Sequence, residues 1–378
     1  MYPPSEPVSV DRSLDLSNGY DSLTRFLEKS LLGNPTNLEL TPLTGGTTNT
    51  LLKGVDKKRQ VSFLIRTYGS GTESIINRDR EYATHLHLLE NKLAPALYAR
   101  FQNALIYGYI PGKPLHYTEM SNESLIPSIA NRLAQWHTVL NPKRIEDSIR
   151  EMSSPEIKFS LNLWQTLEEW IKVLPDGILG VSKAELRAEV AWFKENFGDK
   201  GGPTVVSHCD LLSGNIIVPD SLDLTNTDVG DLSYPSSNFN VKEYSPSELV
   251  TFIDYEYTVP APRAFDLANH FSEWQGFDCR TDLIPEPSTK NIKLRYWCFH
   301  YLAASHHFSH TDMADVETEI DNLIAQVQAW WGMPGFYWSI WGCIQSQISD
   351  IDFDYKSYCR NRIAEYFEWK KNYPHNYD

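Results

Sequence analysis

The chain predicts an α+β fold in two parts: a small N-terminal antiparallel sheet, then a larger, mainly helical region. Three observations carry this. Up to Ile110 the apolar residues alternate in short runs, the pattern of strands with one buried face. From Ser121 onward they mostly recur three and four apart, as in Leu125, Ile129, Leu133, Trp136 and Leu140, which is helical spacing. Between the two lies I-P-G-K-P at 110–114, a Pro/Gly connector of the kind that separates compact regions. The expected organisation is residues 1–20 as a poorly ordered arm, 21–111 as the sheet lobe and 112–378 as the helical lobe. At 378 residues the chain is too long for one small core and fits two.

In the first lobe, Asn37–Leu43 and Thr50–Val55 read as two strands. T-G-G-T-T-N at 44–49 joins them. Gly45 and Gly46 let the backbone come close to a phosphate, and they serve an ordinary hairpin turn equally well. Gln60–Tyr68 is a third strand with Arg66 near its end, a cation that either reaches phosphates or makes a surface ion pair. Asn77–Leu93 has helical spacing, with Asn77 as cap and Asp79 and Glu81 in its first turns, where the helix dipole favours acids. Glu81 is the expected partner of Arg66, or else a solvated charge. Two further strands, Ala96–Phe101 and Ala104–Ile110, complete the sheet.

The second lobe is read as helices at 121–140, 157–174 and 182–197, then about 288–304, 312–331, 335–349 and 355–370. S-x-x-E at Ser182–Glu185 is a capping box. Short strands at Thr204–Ser207, Asn215–Val218 and Leu249–Ile253 interrupt the helices. Pro219–Glu248 is polar and rich in Asp, Ser, Asn and Thr, and is expected to be a mobile surface insertion. His300, His306, His307 and His310 lack an H-E-x-x-H pattern and any interleaved Cys or acid, so a His-rich helix end is expected rather than zinc.

The formal net charge of −15 argues against nucleic acid and anionic lipid as partners and permits a cationic small substrate. Five scattered cysteines with no C-x-x-C fit reduced thiols and a cytoplasmic protein. Neither a signal peptide nor a membrane-spanning segment is expected.

The chemistry concentrates in S-H-C-D-L-L-S-G-N-I-I-V, Ser207–Val218, and V-T-F-I-D-Y-E-Y, Val250–Tyr257. A hydroxyl is a poor nucleophile until it is oriented, and an Asp at hydrogen-bond distance both positions it and accepts its proton. Asp210 suits that role. Asn215 and Asp254 offer hard oxygens to Mg²⁺. His208 is expected to orient the loop by hydrogen bonding. H-x-D-x-x-x-x-N followed by an acid at the end of a strand points to phosphoryl transfer from ATP.

H-C-D-L-L-S-G-N at 208–215, I-D-Y-E-Y at 253–257 and A-F-D-L-A-N-H-F-S-E-W at 264–274 resemble the choline/ethanolamine kinase family. L-I-R-T-Y-G at 64–69, Y-I-P-G at 109–112 and the aromatic segment Phe336–Tyr358 extend the resemblance over roughly residues 40–370. It implies a bilobal, protein-kinase-like fold and an ATP- and Mg²⁺-dependent phosphotransferase acting on an amino alcohol. It implies Asp210 as catalytic base and Asn215 and Asp254 as Mg²⁺ ligands. Gly45, Gly46, Thr47, Thr48 and Asn49 would cover the phosphates, Arg66 would contact them, and Gly108–Ile110 would meet adenine. Cys209 departs from the Asn often found there in the family.

The same resemblance implies an ammonium pocket. A buried cation needs acids and aromatic faces. Glu256 and Glu273 are the acids, and Tyr257, Trp338, Trp341, Tyr355 and Tyr358 supply the rings. I-I-N-R-D-R-E at 75–81, L-L-S-G-N-I-I at 211–217 and F-I-D-Y-E-Y at 252–257 look like the ethanolamine kinase branch. This implies formation of phosphoethanolamine, the first step of the CDP-ethanolamine route to phosphatidylethanolamine. A choline or dual choline/ethanolamine kinase is the first alternative. An aminoglycoside phosphotransferase or a catalytically silent nucleotide-binding scaffold is more remote. Oligomeric state is left open, a homodimer included.

Overall fold

The computed structural model describes residues 6–16, 19–32, 38–43, 49–152, 161–178, 180–224, 232, 244, 247–305, 313–349 and 351–376. Gly45–Thr48, most of the 219–248 insertion, and His306, His307 and His310 lie outside them, as do residues 1–5 and 17–18 of the expected arm. The chain forms two compact units. The first comprises Met1–Glu73, Leu89–Pro111 and Ile348–Ile351, and the second Ser74–Leu88, Gly112–Gln347 and Asp352–Asp378.

The first unit is built on a six-stranded sheet. Its strands are β1 (Val8–Val10), β2 (Leu38–Leu43), β3 (Asn49–Asp56), β4 (Val61–Tyr68), β5 (Leu97–Phe101) and β6 (Ala104–Gly108), in the order β1-β5-β6-β4-β3-β2. All neighbours are antiparallel except β1 and β5. Arg66 lies in register between Leu51 and Leu105 and is buried. Helix α1 (Asp21–Phe26) places Leu23 and Phe26 in the core with Leu52, Phe63, Ile65, Phe101 and Ile106. Gly54 faces Phe63 across the β3/β4 ladder, where a Cβ would sit 2.3 Å from the ring.

The N-terminal residues correct an expectation. Val8–Val10 is an edge strand, Leu14 is buried, and the Leu14 amide donates to Asn103 Oδ1 at 2.7 Å. One turn of alternating apolar residues is too short to separate from a loop by period alone, and a neighbouring strand edge decides it.

The second unit contains α2 (Arg78–Glu90), β7 (Lys113–Pro114), α3 (Ile126–Val139), α4 (Pro142–Met152), α5 (Leu163–Val173), α6 (Lys183–Phe197), β8 (Thr204–Ser207), β9 (Ile216–Val218), β10 (Thr251–Phe252), β11 (Val259–Pro262), α7 (Arg263–Ser272), α8 (Ile292–Ala304), α9 (Met313–Trp330), α10 (Met333–Ile348) and α11 (Tyr355–Asn376). The Asn77 cap on α2 and the Ser182/Glu185 capping box on α6 form as expected. Residues 74–88, read from sequence with the sheet lobe, group here. Polar contacts explain it: Arg78 reaches Glu256 at 2.8 Å, Thr84 Oγ1 meets Thr258 Oγ1 at 3.2 Å, and His85 packs edge-on to Tyr255.

Two small ladders organise this unit. β8 pairs antiparallel with β11, and β9 lies between β7 and β10. Gly112 has φ +137, and a Cβ there would sit 2.3 Å from the Val218 carbonyl, so only glycine passes β9 so closely. Among the described residues, no helix is long and apolar enough to cross a membrane.

Candidate active site

The loop after β8 and the loop after β10 meet through backbone and imidazole. The Ile253 amide donates to the Asn215 carbonyl at 3.0 Å. The Asp210 amide donates to His208 Nδ1 at 3.3 Å, and His208 Nε2 donates to the Ile253 carbonyl at 3.1 Å. His208 is fully buried, and burial pushes its pKa down to about 4, so the imidazole is neutral with its proton on Nε2. It acts as a bracket between the two loops, the orienting role expected of it.

The loop is held from below by α7. Asp266 Oδ2 accepts from the His208 amide and Oδ1 from the Cys209 amide, both at 2.8 Å. His137 Nε2 lies 2.9 Å from the same carboxylate, and its Nδ1 lies 2.8 Å from Tyr301 Oη. Asn269 Nδ2 donates to the Cys209 carbonyl at 2.8 Å, and His270 Nδ1 donates to the Leu211 carbonyl at 3.1 Å. Asp266, Asn269 and His270 are three and four apart, so they share one helix face. Burial alone would raise Asp266, yet the bonds from His137 and Cys209 and the nearby imidazoles hold its pKa below the usual carboxylate value.

This support lets two residues take rare backbone conformations. Cys209 and Asp254 both have φ 65, a left-handed geometry that non-glycine residues adopt at a cost. Asn tolerates it better than Cys, which gives physical content to the departure at Cys209. The Cys209 thiol is fully buried, and burial raises its pKa well above normal, so it is inert.

Asp210 and Asn215 are both buried. Asn215 Nδ2 donates to the Asp210 carbonyl at 2.7 Å and to its Oδ2 at 2.9 Å. That assigns the amide's orientation and leaves Asn215 Oδ1 and Asp210 Oδ1 with no protein partner among the described residues. Burial, then the charges of Asp254, Glu273 and Glu256, push the Asp210 pKa well up, against the bond from Asn215. Four carboxylates therefore converge on one place.

The rings expected to line an ammonium pocket pack against one another. Trp338 and Trp341, on α10, meet edge to face at 5.3 Å between ring centroids. Trp341 lies 5.8 Å from Tyr355 and 6.2 Å from Tyr358, both on α11, and Tyr257 lies 5.7 Å from Trp338. Trp341 Nε1 donates to Tyr257 Oη at 2.7 Å, and Trp338 Nε1 donates to Asn269 Oδ1 at 2.7 Å. Asn269 thus joins the aromatic wall to the catalytic loop. Glu256 is buried and paired with Arg78, which also holds Glu81 at 2.9 Å. Glu273 is buried and paired with Arg362 at 3.2 Å. Burial pushes the Glu273 pKa up to about 7, against the pull of Arg362.

In the first unit, the Gly108 amide donates to the Ala96 carbonyl at 2.8 Å and the Tyr109 amide to the Ser62 carbonyl at 3.1 Å. These two N–H groups are committed to the sheet, whereas the Ile110 amide has no protein partner among the described residues. Asp266, Asn269, His270, His137, Arg78 and Arg362 carry no assignment in the sequence-based expectations. The three- and four-residue spacing of D-x-x-N-H was the signal available for the first three.

The choline/ethanolamine kinase family model matches residues 40–367. Human ethanolamine kinase 2 is 30% identical over 334 residues, covering 86% of this chain and 75% of that one. The probable ethanolamine kinase A of Dictyostelium discoideum is 28% identical over 351 residues, 89% of this chain and 86% of that one. Among solved structures, a Plasmodium vivax ethanolamine kinase aligns with a TM-score of 0.70 at 26% identity, covering 95% of this chain and 97% of that chain. A choline kinase from Cryptosporidium parvum aligns at 0.65 with 16% identity, covering 93% and 95%, a likeness of fold. The chain therefore belongs to the choline/ethanolamine kinase family, whose members are ATP-dependent phosphotransferases with an alcohol group as acceptor.

Proposed function

We propose that this chain transfers the γ-phosphoryl group of ATP to the hydroxyl of ethanolamine, giving phosphoethanolamine and ADP. The observation that carries the reading is the placement of Asp210 Oδ1, without a protein partner, among Asp254, Glu256 and Glu273 and near an aromatic wall. Asp210 orients the hydroxyl and accepts its proton as the new P–O bond forms. Trp338, Trp341, Tyr355 and Tyr358 present faces to the ammonium, and Glu273 supplies a compensating charge. The relatives named as ethanolamine kinases support the choice of alcohol.

The residues fit Mg²⁺. Asn215 Oδ1 and the Asp254 carboxylate are hard oxygens, and Mg²⁺ prefers one or two protein ligands completed by water and phosphate. When bound, the ion neutralises charge on the phosphates. For the nucleotide we assign Arg66 to phosphate and the Ile110 backbone to adenine. Choline is the second reading, favoured by the aromatic faces, because a quaternary head has no N–H to donate.

The test is ADP release by purified protein with each alcohol, comparing kcat/KM. Ethanolamine is expected to exceed choline. D210A should lower kcat by at least about 100-fold, within the range for a positioned base, while nucleotide binding persists. Turnover of neither alcohol by folded protein would overturn the reading.

A further inference from the structure

Glu273 belongs to a charge cluster whose other members, Arg362 and Glu365, the catalytic steps above do not use. Arg362, on α11, is 1% exposed. Its Nη2 donates to Glu273 Oε1 at 3.2 Å and its Nη1 to Glu365 Oε2 at 3.1 Å. Gln275 Nε2 reaches the same Glu365 oxygen at 3.3 Å. Arg362 also sits 5.9 Å from the ring centroid of the buried Tyr358. Glu273 Oε2 has no protein partner among the described residues. One oxygen of Glu273 is therefore held from behind and the other is left for a ligand.

We propose that Arg362 is a positioning residue for the amine site: it holds Glu273 as a carboxylate with one oxygen committed, while Glu365 competes for Arg362 and weakens that hold. This rests on the ammonium pocket proposed above. The physical reason is the balance of charge in a dry place. A buried carboxyl reverts to its neutral acid unless a cation is adjacent. Burial takes Glu273 to about 7 even with Arg362 beside it, and Glu365 pushes the same way as burial. The other groups facing Glu273 are Tyr358 on α11, Cys279 on the segment after α7, and Asp210 on the catalytic loop. None of these supplies a positive charge, so Arg362 is the cation of this cluster. A neutral Glu273 offers an ammonium no compensating charge, and amine affinity falls.

Two substitutions should act in opposite directions. R362Q removes the cation, and losing an adjacent opposite charge raises a carboxyl pKa by roughly 1 to 3. At pH 7 the ionised fraction of Glu273 then drops at least about fivefold, and KM for ethanolamine rises by that factor. E365Q removes the competitor while keeping the shape, so the acid limb of the KM profile moves to lower pH. R362K should recover part of the loss, because it keeps the charge without the planar fork. The measurement is KM and kcat for ethanolamine from pH 6 to 8.5 for wild type and the three variants, with thermal unfolding as a control. A purely structural role would affect kcat and KM together and give no sign reversal. If R362Q fails to fold, E365Q and R362K still decide the matter. Profiles that overlay wild type, or that move in the same direction for R362Q or R362K and for E365Q, overturn the inference. Absence of wild-type turnover would instead overturn the proposed function.

Discussion

The proposed catalytic loop and the proposed amine pocket are both built from buried residues, yet they are held by different means. Loop residues 208–211 are gripped through their backbone by Asp266, Asn269 and His270, side chains from one face of α7. The pocket is walled by rings from α10 and α11 packed edge to face, with one ion pair behind them. Backbone hydrogen bonds fix position and strained φ angles, as an in-line transfer requires. Edge-to-face packing fixes a shape, and the ring faces supply the negative potential that a small rotating cation requires. Geometry is specified on one side and electrostatics on the other.

The largest expected effect falls on the gripped loop. D266A removes the acceptor for two amides and His137 at once, leaving buried donors unpaired. We expect a stability loss of about 3 kcal/mol, read by urea unfolding, and a drop in kcat larger than the change in amine KM. A variant that loses amine affinity alone would contradict the division of roles. The pocket should respond more mildly. W341A removes one aromatic face, worth roughly 0.5 to 2 kcal/mol. KM for ethanolamine should therefore rise by about 2- to 30-fold, with kcat for saturating amine changed less. Equal losses in both would merge the two regions.

A further effect is on stability against pH, and its sign separates the regions. Asp266 has a folded pKa held below its ordinary value, so its contribution is present at neutral pH and is lost as pH falls through that folded value. Glu273 is opposite. Its pKa rises from 4.5 to about 7 on folding, so the folded state binds the proton more tightly and stability declines as pH rises through that window. Unfolding measured between pH 4.5 and 8 should show E273Q flattening the decline, whereas a conservative change at Asp266 should not.

Much of the site was legible because its chemistry is local. Asp210 and Asn215 lie on one short loop, and their spacing, followed by the acid Asp254, is what points to them as the proposed reacting groups. Strands β2 to β6 and the principal helices followed their periodicities, with ends shifted by a few residues. Helix α7 was harder to read because it is buried on all sides, so its polar face, Asp266, Asn269 and His270, meets the loop after β8 and not solvent. The edge strand at Val8–Val10 was hidden because only its partner β5 distinguishes it from a coil.

What the sequence by itself determined is the reaction class, with the groups proposed to perform it, since residue type and short spacing point to both. Tertiary structure decided which charges answer one another. Glu256 faces Arg78 across 178 positions and Glu273 faces Arg362 across 89, and no local pattern encodes such pairs. The protonation of a buried acid depends on the cation that folding brings beside it, and only the packed chain reveals it.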